Sequence, residues 1–401
     1  MLLCSFFAVY SCSDESKDAT ETLTNEESTD YKRNKDSLLK SEMKKKYDIF
    51  PLIKYKQEYI DNSETLKRIK VEFQKDDSVP LKNKVFLTLN RKEMRFMRVK
   101  DTVVVPDTII NDLRAYSIFP QYYHGARELP KLILVSNKYQ CYAAYEYGVQ
   151  VRFAAANTGK EKTQTYPGRY ALVWRDKLRR SSLDSNWILP FTWNFHRYAG
   201  NAFHQFEMPG YAASHSCIRQ FMSDAKWLFE WGESVKVDTS GKQIWLSGTP
   251  VIIIDAFDFS RPKTGPWVAL ESNKDIILDV PENPMDVEEA LIPISQIPES
   301  IQGWIPQRKR YLYAEDSLRA RGIIAEDVRI TPSVDFNKRR REKAAKKAAE
   351  KLKKELANQP DSTKTDIKII KKNLEVLEGN PVKNIEKSEN EKKRADSTEY
   401  R

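Results

Sequence analysis

Between residues 131 and 257 the chain is cut into short runs, at 133–135, 142–147, 149–155, 169–173 and 248–254, rich in aromatic and β-branched residues and bounded by Gly, Asn or Pro. Runs of this length and makeup suit a pleated, partly buried surface and are too short for amphipathic helices. The expectation is a mainly β (α+β) fold in which these runs form a curved sandwich or barrel. No period of self-similarity stands out, which excludes a solenoid. The flanks read differently. Residues 13–46 are rich in Ser, Thr, Asp, Glu and Lys with almost no aromatics, and read as a disordered tether. Residues 47–130 read as a separate, smaller α+β domain. Seven prolines between residues 258 and 306 mark an irregular extension, running to 336, that packs on the central domain. Residues 337–401 read as a basic helix, over 338–356, followed by a disordered tail.

The chemistry concentrates in Ser214, His215, Ser216, Cys217, Ile218 and Arg219. Cysteine is only a few per cent thiolate at neutral pH, so a nucleophilic thiol needs a base, a cation or a helix N-terminus beside it. His215 supplies a base and Arg219 a cation. Residues 223–231 read as a helix with Ser223 as N-cap and Ala225, Leu228 and Phe229 on its packed face. A turn at 214–217 would gather backbone N–H groups where an oxyanion develops. A lone Cys is equally a small buried hydrophobe, and spacing alone leaves the two readings level. Metal binding is poorly supported: the histidines are His124, His196, His204 and His215, with no Cys-x-x-Cys and no His-Glu-x-x-His. Phosphate-binding glycine loops are absent, and no cofactor is expected. The aromatic stretch 187–196 reads as core and packed-loop material, with a substrate-lining lid as the alternative.

The stretch from Phe203 to Arg219 resembles the active-site signature of the L,D-transpeptidases, the YkuD-like family. That signature has a His on a strand, a loop often carrying Pro-Gly, then Ser-His-Gly-Cys, Ile or Val, and Arg. Here the matching residues are His204, Pro209, Gly210, Ser214, His215, Ser216, Cys217, Ile218 and Arg219. Flanking elements agree in order: Lys131 to Ser136 resembles the first strand, Asn157 to Lys160 a turn, Tyr166 to Tyr170 the Thr-Pro-x-Gly-x-Phe element, and Gly248 to Ile254 the closing strand. The likeness places the catalytic domain at 131–257, with a helix after the catalytic Cys. His196 also satisfies a looser first-His spacing, but the context favours His204. Two positions depart from the pattern, Ser216 and Gln205 standing where the family usually has Gly.

The resemblance implies acyl transfer on peptidoglycan stem peptides. Cys217 attacks the carbonyl of the third residue of a tetrapeptide, releases D-alanine and holds a thioester that an acceptor amine resolves into a cross-link. It assigns His215 as base and then acid, Ser216 and Ser214 to the oxyanion turn, and Arg219 and His204 to substrate binding. An L,D-carboxypeptidase or exchange activity, and a non-catalytic wall-binding lipoprotein, are the alternatives. Residues 89–91 and 97–106 resemble the back half of LysM-like wall-binding modules. The N-terminal apolar run ends in Val9, Tyr10, Ser11 and Cys12, resembles a lipobox, and is too short to span a bilayer. With residues 1–12 as a lipoprotein signal-like segment and Cys12 lipidated, the chain would be periplasmic and lipid-anchored, at the outer membrane. The net charge of +10 then meets anionic wall polymer rather than nucleic acid, for which no binding motif is present. Oligomeric state is not legible.

Overall fold

The computed structural model describes residues 25–357 except 75–80, 182, 185, 262–263, 276 and 334–335. The lipobox-like run with Cys12, and the tail beyond 357, lie outside the described residues. Residues 1–50 and 51–401 form two units. The first contains α1 (Asn25–Tyr47). This corrects the expected disordered tether over 25–46: Lys, Glu and Leu are good helix formers, and Lys44, Lys45 and Lys46 complement the helix's C-terminal dipole.

The second unit begins with β1 (Tyr55–Tyr59), α2 (Ser63–Glu72), α3 (Lys82–Asn90) and β2 (Thr102–Pro106), the two strands pairing antiparallel. Asn62 caps α2 through its side chain, which accepts from the Thr65 amide at 2.9 Å. Ile60, Ile69, Phe73, Phe86, Met97 and Val103 form the core of this part, with the Phe73 and Phe86 rings stacked at 4.0 Å. Asn90 ties helix to strand, donating to the Val104 carbonyl and accepting from its amide.

A five-stranded sheet has the order β5-β4-β3-β11-β6, built from β3 (Leu132–Ser136), β4 (Cys141–Glu146), β5 (Val149–Ala155), β6 (Gly168–Ala171) and β11 (Pro250–Ile253). It is antiparallel except that β11 runs parallel to β3. Both faces are covered, so β3 is buried at every position, and its unbroken apolar run answers to that. Ile133, Val135, Tyr142, Val251 and Ile253 face the main core. On the other face, Phe119 and Tyr123 pack against Phe153 and Tyr145.

A four-stranded sheet, β10-β9-β8-β7, lies across that core from β7 (Trp174–Arg180), β8 (Ile188–His196), β9 (Asn201–Gln205) and β10 (Ile218–Gln220). It contributes Trp193, Phe195, Phe203 and Ile218. The two sheets make the expected mainly β sandwich. The stretch 187–196, read as core and packed-loop material, does place Trp193 and Phe195 in the core, but as a strand rather than a loop. Pro190 obscured it, and is tolerated because that end of β8, from Ile188 to Pro190, pairs only with β7 on one side, β9 joining further along. After β10 comes α4 (Met222–Trp231). Its N-cap is Phe221, without a side-chain bond, so Ser223 is not the cap. The extension adds α5 (Glu299–Gln302), α6 (Arg308–Leu312) and α7 (Ala314–Ala320) and places Ala290, Ile292, Ile297, Tyr311, Leu318 and Ile330 in the sandwich core. The basic stretch forms α8 (Phe336–Ala357). No helix among the described residues is long and apolar enough to cross a membrane.

Candidate active site

Strand register brings the site together. β10 runs parallel to β9, with Ile218 opposite Phe203 and Arg219 opposite His204. Paired residues share a face and successive residues alternate. Phe203 and Ile218 therefore point into the core, where both are buried, and His204 and Arg219 point the other way. Continuing the register one step back sets Cys217 beside Ala202, on the His204 face. The Phe206 ring packs on both members of the pair, 5.9 Å from the His204 ring and 4.7 Å from the Arg219 guanidinium carbon.

The turn before Cys217 is fixed from one side. Asn157 exchanges two backbone hydrogen bonds with Arg219, both 3.0 Å, and its side chain accepts from the Gly210 amide at 3.0 Å. Thr158 accepts from the amides of Ala213 and Ser214, and the Lys160 amide donates to the Ser214 carbonyl. Thr165 lies between the Gly159 amide, at 2.9 Å, and the Ser216 carbonyl, at 3.1 Å. Position 159 must be glycine, because a Cβ there would fall on the Thr163 carbonyl. Ser216 has φ 70°, the left-handed region. The family's glycine at this position is explained by that angle, and serine adopts it at a cost of about 1 kcal/mol or more. Its hydroxyl lies 2.5 Å from the His215 carbonyl and 3.2 Å from Asn201 Oδ1.

Ser214 is buried, and its hydroxyl donates to the Cys217 carbonyl. With its N–H on Thr158 and its O–H on Cys217, Ser214 shapes the turn and has no donor left for an oxyanion. The helix dipole is also further off than the sequence suggested, since β10 and Phe221 separate Cys217 from α4.

Electrostatics divide the two imidazoles. His204 is buried, and burial lowers its pKa to about 4, with Arg219 adding to the effect and the Gln205 carbonyl opposing it. Its Nδ1 lies 2.9 Å from the Gln205 carbonyl oxygen, which accepts only from a protonated nitrogen. That bond leaves Nε2 as the basic nitrogen of a neutral ring. His215 is partly buried, with Nε2 3.1 Å from the Lys160 ammonium. Burial, Lys160 and Arg219 all push its pKa below the usual value. Its Nε2 faces a donor, whereas the Nε2 of His204 is the nitrogen left free by the Gln205 bond. The Cys217 thiol is partly exposed, and desolvation raises its pKa against the opposing pull of the Ala202 amide, Arg219 and Arg179. At neutral pH the resting site thus has a thiol on the strand face of a neutral imidazole, the protonation states from which general-base activation starts.

Arg219 donates to the Glu207 carbonyl and holds the loop after β9. Trp187 stands 5.9 Å from the His215 ring and 5.8 Å from that of Phe206. Lys160, Thr165, Asn157 and Trp187 were not singled out as site residues, although three of them fall in stretches the sequence marked as family elements or as an aromatic run. His196 sits in the core, its Nδ1 accepting from the Ala199 amide and its Nε2 3.4 Å from the Tyr311 hydroxyl. Cys141 is a buried thiol whose pKa burial lifts to about 12. Among the described residues no three His, Cys, Asp or Glu side chains converge as a metal site.

Residues 130–253 match the family model described as L,D-transpeptidase catalytic domain, YkuD. Among solved structures, the chain is similar to an L,D-transpeptidase from Stackebrandtia nassauensis, with 20% identity over 32% of this chain and 57% of that one and a TM-score of 0.26. An L,D-transpeptidase from Xylanimonas cellulosilytica gives 25% identity, 31% and 59% coverage and a TM-score of 0.24. L,D-transpeptidase 1 of Mycobacterium tuberculosis gives 15%, 31% and 62%, and 0.24. The chain thus spans less than two thirds of each. No curated protein matches the chain.

Proposed function

With an L,D-transpeptidase catalytic domain of the YkuD type at residues 130–253 as the starting point, we propose that the protein is a peptidoglycan L,D-transpeptidase acting through a Cys217 thioester. The observation that carries this reading is the shared strand face of Cys217 and His204, with His204 Nδ1 held by the Gln205 carbonyl so that Nε2 is basic. His204 takes the thiol proton as Sγ attacks the carbonyl of the third stem residue, forming the S–C bond. The C–N bond to the terminal D-alanine then breaks, and the proton passes from His204 to the departing amine. An acceptor amine attacks the thioester, gives a proton to His204 and restores the thiol, leaving a new amide. The amides of Ser216 and Cys217 are the donors to the oxyanion. No external energy source is needed, because one amide is exchanged for another.

The reading extends to the rest of the chain. The unit of β1, α2, α3 and β2 is proposed as a LysM-like wall-binding module. Lipidation at Cys12 would hold the enzyme in the periplasm, on the outer membrane. The test is incubation of the full chain with a defined stem tetrapeptide, followed by intact mass of protein and products. An acyl adduct on the wild type, dimers as product, and neither with Cys217→Ala is the expected result. Tripeptide without dimers would instead identify a carboxypeptidase, and absence of any adduct in folded, reduced protein would leave a binding protein.

A further inference from the structure

Around Cys217 and His215 stand three cations, Lys160, Arg179 and Arg219, and among the described residues none of them forms an ion pair. Arg219 hydrogen-bonds the backbone oxygen of Glu207, whose carboxylate lies 3.5 Å from Arg95 and acts on Arg219 only through space. Arg179 lies over the Trp174 ring at 4.5 Å. Lys160 is the best placed of the three. Its amide donates to the Ser214 carbonyl at 3.0 Å, so its main chain belongs to the turn that carries the thiol, and its ammonium reaches His215 Nε2 at 3.1 Å. Gly159 beside it bridges Ser214. A side chain fixed at both ends, partly exposed and short of a counter-charge, is a ready anion site. A protonated Lys has three donors and spends one on His215. Because Nε2 of that ring accepts, its proton resides on Nδ1, and His215 becomes a second donor rather than a base. The Trp187 ring, 5.9 Å away, closes the flank of this pair.

We infer that Lys160, together with His215, is the carboxylate-binding element of the site and selects donors with an anionic group near the scissile amide. The inference rests on the reading of Cys217 as an acyl-transfer centre for stem peptides. Two carboxylates share the required chemistry: that of the leaving terminal residue, and that of the side-chain centre of the third-position diamino acid.

Equilibrium binding on the full chain carrying Cys217→Ala, where no turnover occurs, decides the matter. The ligands are the stem tetrapeptide, its C-terminal carboxamide, and the tetrapeptide amidated at the diamino acid carboxylate. One of the two amides should bind about tenfold or more weaker than the parent, a loss typical of a charge-assisted hydrogen bond, and which amide it is identifies the carboxylate. Adding Lys160→Gln should abolish that preference, and Lys160→Arg should retain part of it. A preference that survives Lys160→Gln overturns the inference, as does equal binding of all three peptides, or binding of none. The acyl-transfer reading is tested separately in protein retaining Cys217: carboxylate selection without any adduct would remove that reading and leave the anion site standing.

Discussion

His204 and His215 show how far one atom's partner outweighs sequence distance. His215 is two residues from the thiol and His204 thirteen, yet the nearer ring has its Nε2 against an ammonium while the farther one shares the thiol's strand face. His204→Gln should lower the acylation rate about 10²–10⁴-fold, as loss of a general base does. His215→Gln should act on KM and leave kcat for acylation nearly unchanged, both read by single-turnover mass spectrometry. The strained angle at position 216 makes its own claim. Ser216→Val places a β-branched residue at φ 70° and should cost about 2 kcal/mol or more, whereas Ser216→Gly should keep or slightly raise the melting temperature.

At the scale of elements, α4 is joined to the rest by a buried acid. Asp224, in its first turn, is fully buried and accepts from Arg152 of β5 at 2.5 Å and from Lys84 of α3 at 2.9 Å. Asp224→Ala leaves two largely buried cations facing each other and should destabilise by about 3–5 kcal/mol in urea unfolding. Lys84→Met, which leaves the Arg152 pair intact, should cost much less. Elements were legible where the pattern was strong. The runs at 133–135, 149–155 and 248–254 are β3, β5 and β11 to within two residues: β3 and β11 because strands buried in the middle of the sheet read as apolar runs, β5 because of its β-branched and aromatic content. The β7–β8 arm was not, since β7 reads Trp-Arg-Asp-Lys-Leu-Arg-Arg and lies mostly exposed, so neither apolar content nor clean alternation marks it. The thiol, the turn and its neighbouring histidine were visible as a motif. The partners that set the two imidazoles apart were not, because they depend on register and on Lys160, fifty-five residues from His215.

Over the whole second unit, the N-terminal part is stitched to the loop that leads to the thiol. The Glu93 amide donates to the Met208 carbonyl, Lys92 bridges Pro209, and the Arg91 carbonyl accepts from Asn157. The segment between His204 and Cys217 is therefore held from outside the sandwich as well as within it. Two buried histidines set how this unit responds to acid. His196 is lowered to about 3 and His204 to about 4, chiefly by burial. The unfolded chain binds protons at both sites below a pH of about 6.5, which the folded chain refuses until pH 4 or lower. Stability is thus full above pH 6.5 and declines as pH falls, by about 2 kcal/mol per histidine at pH 5. Urea midpoints at pH 7.5 and 5 should show this fall. His196→Gln should remove part of it, and a midpoint insensitive to pH over that range would contradict the assignment.

The parallel pairing of β9 and β10 carries a last consequence, for what a lineage of such chains is free to change. Ladder positions come in whole residues, whereas the crossover between the strands has no such quantum. Extra residues between Phe206 and Tyr211 would have to bulge outward past the contacts that Met208, Pro209 and Gly210 make with Glu93, Lys92 and Asn157, yet could still return the sulfur to the same seat. A residue inserted between Ser214 and Cys217 would break the turn itself, so length variation should be scarcer after Ala213 than before it.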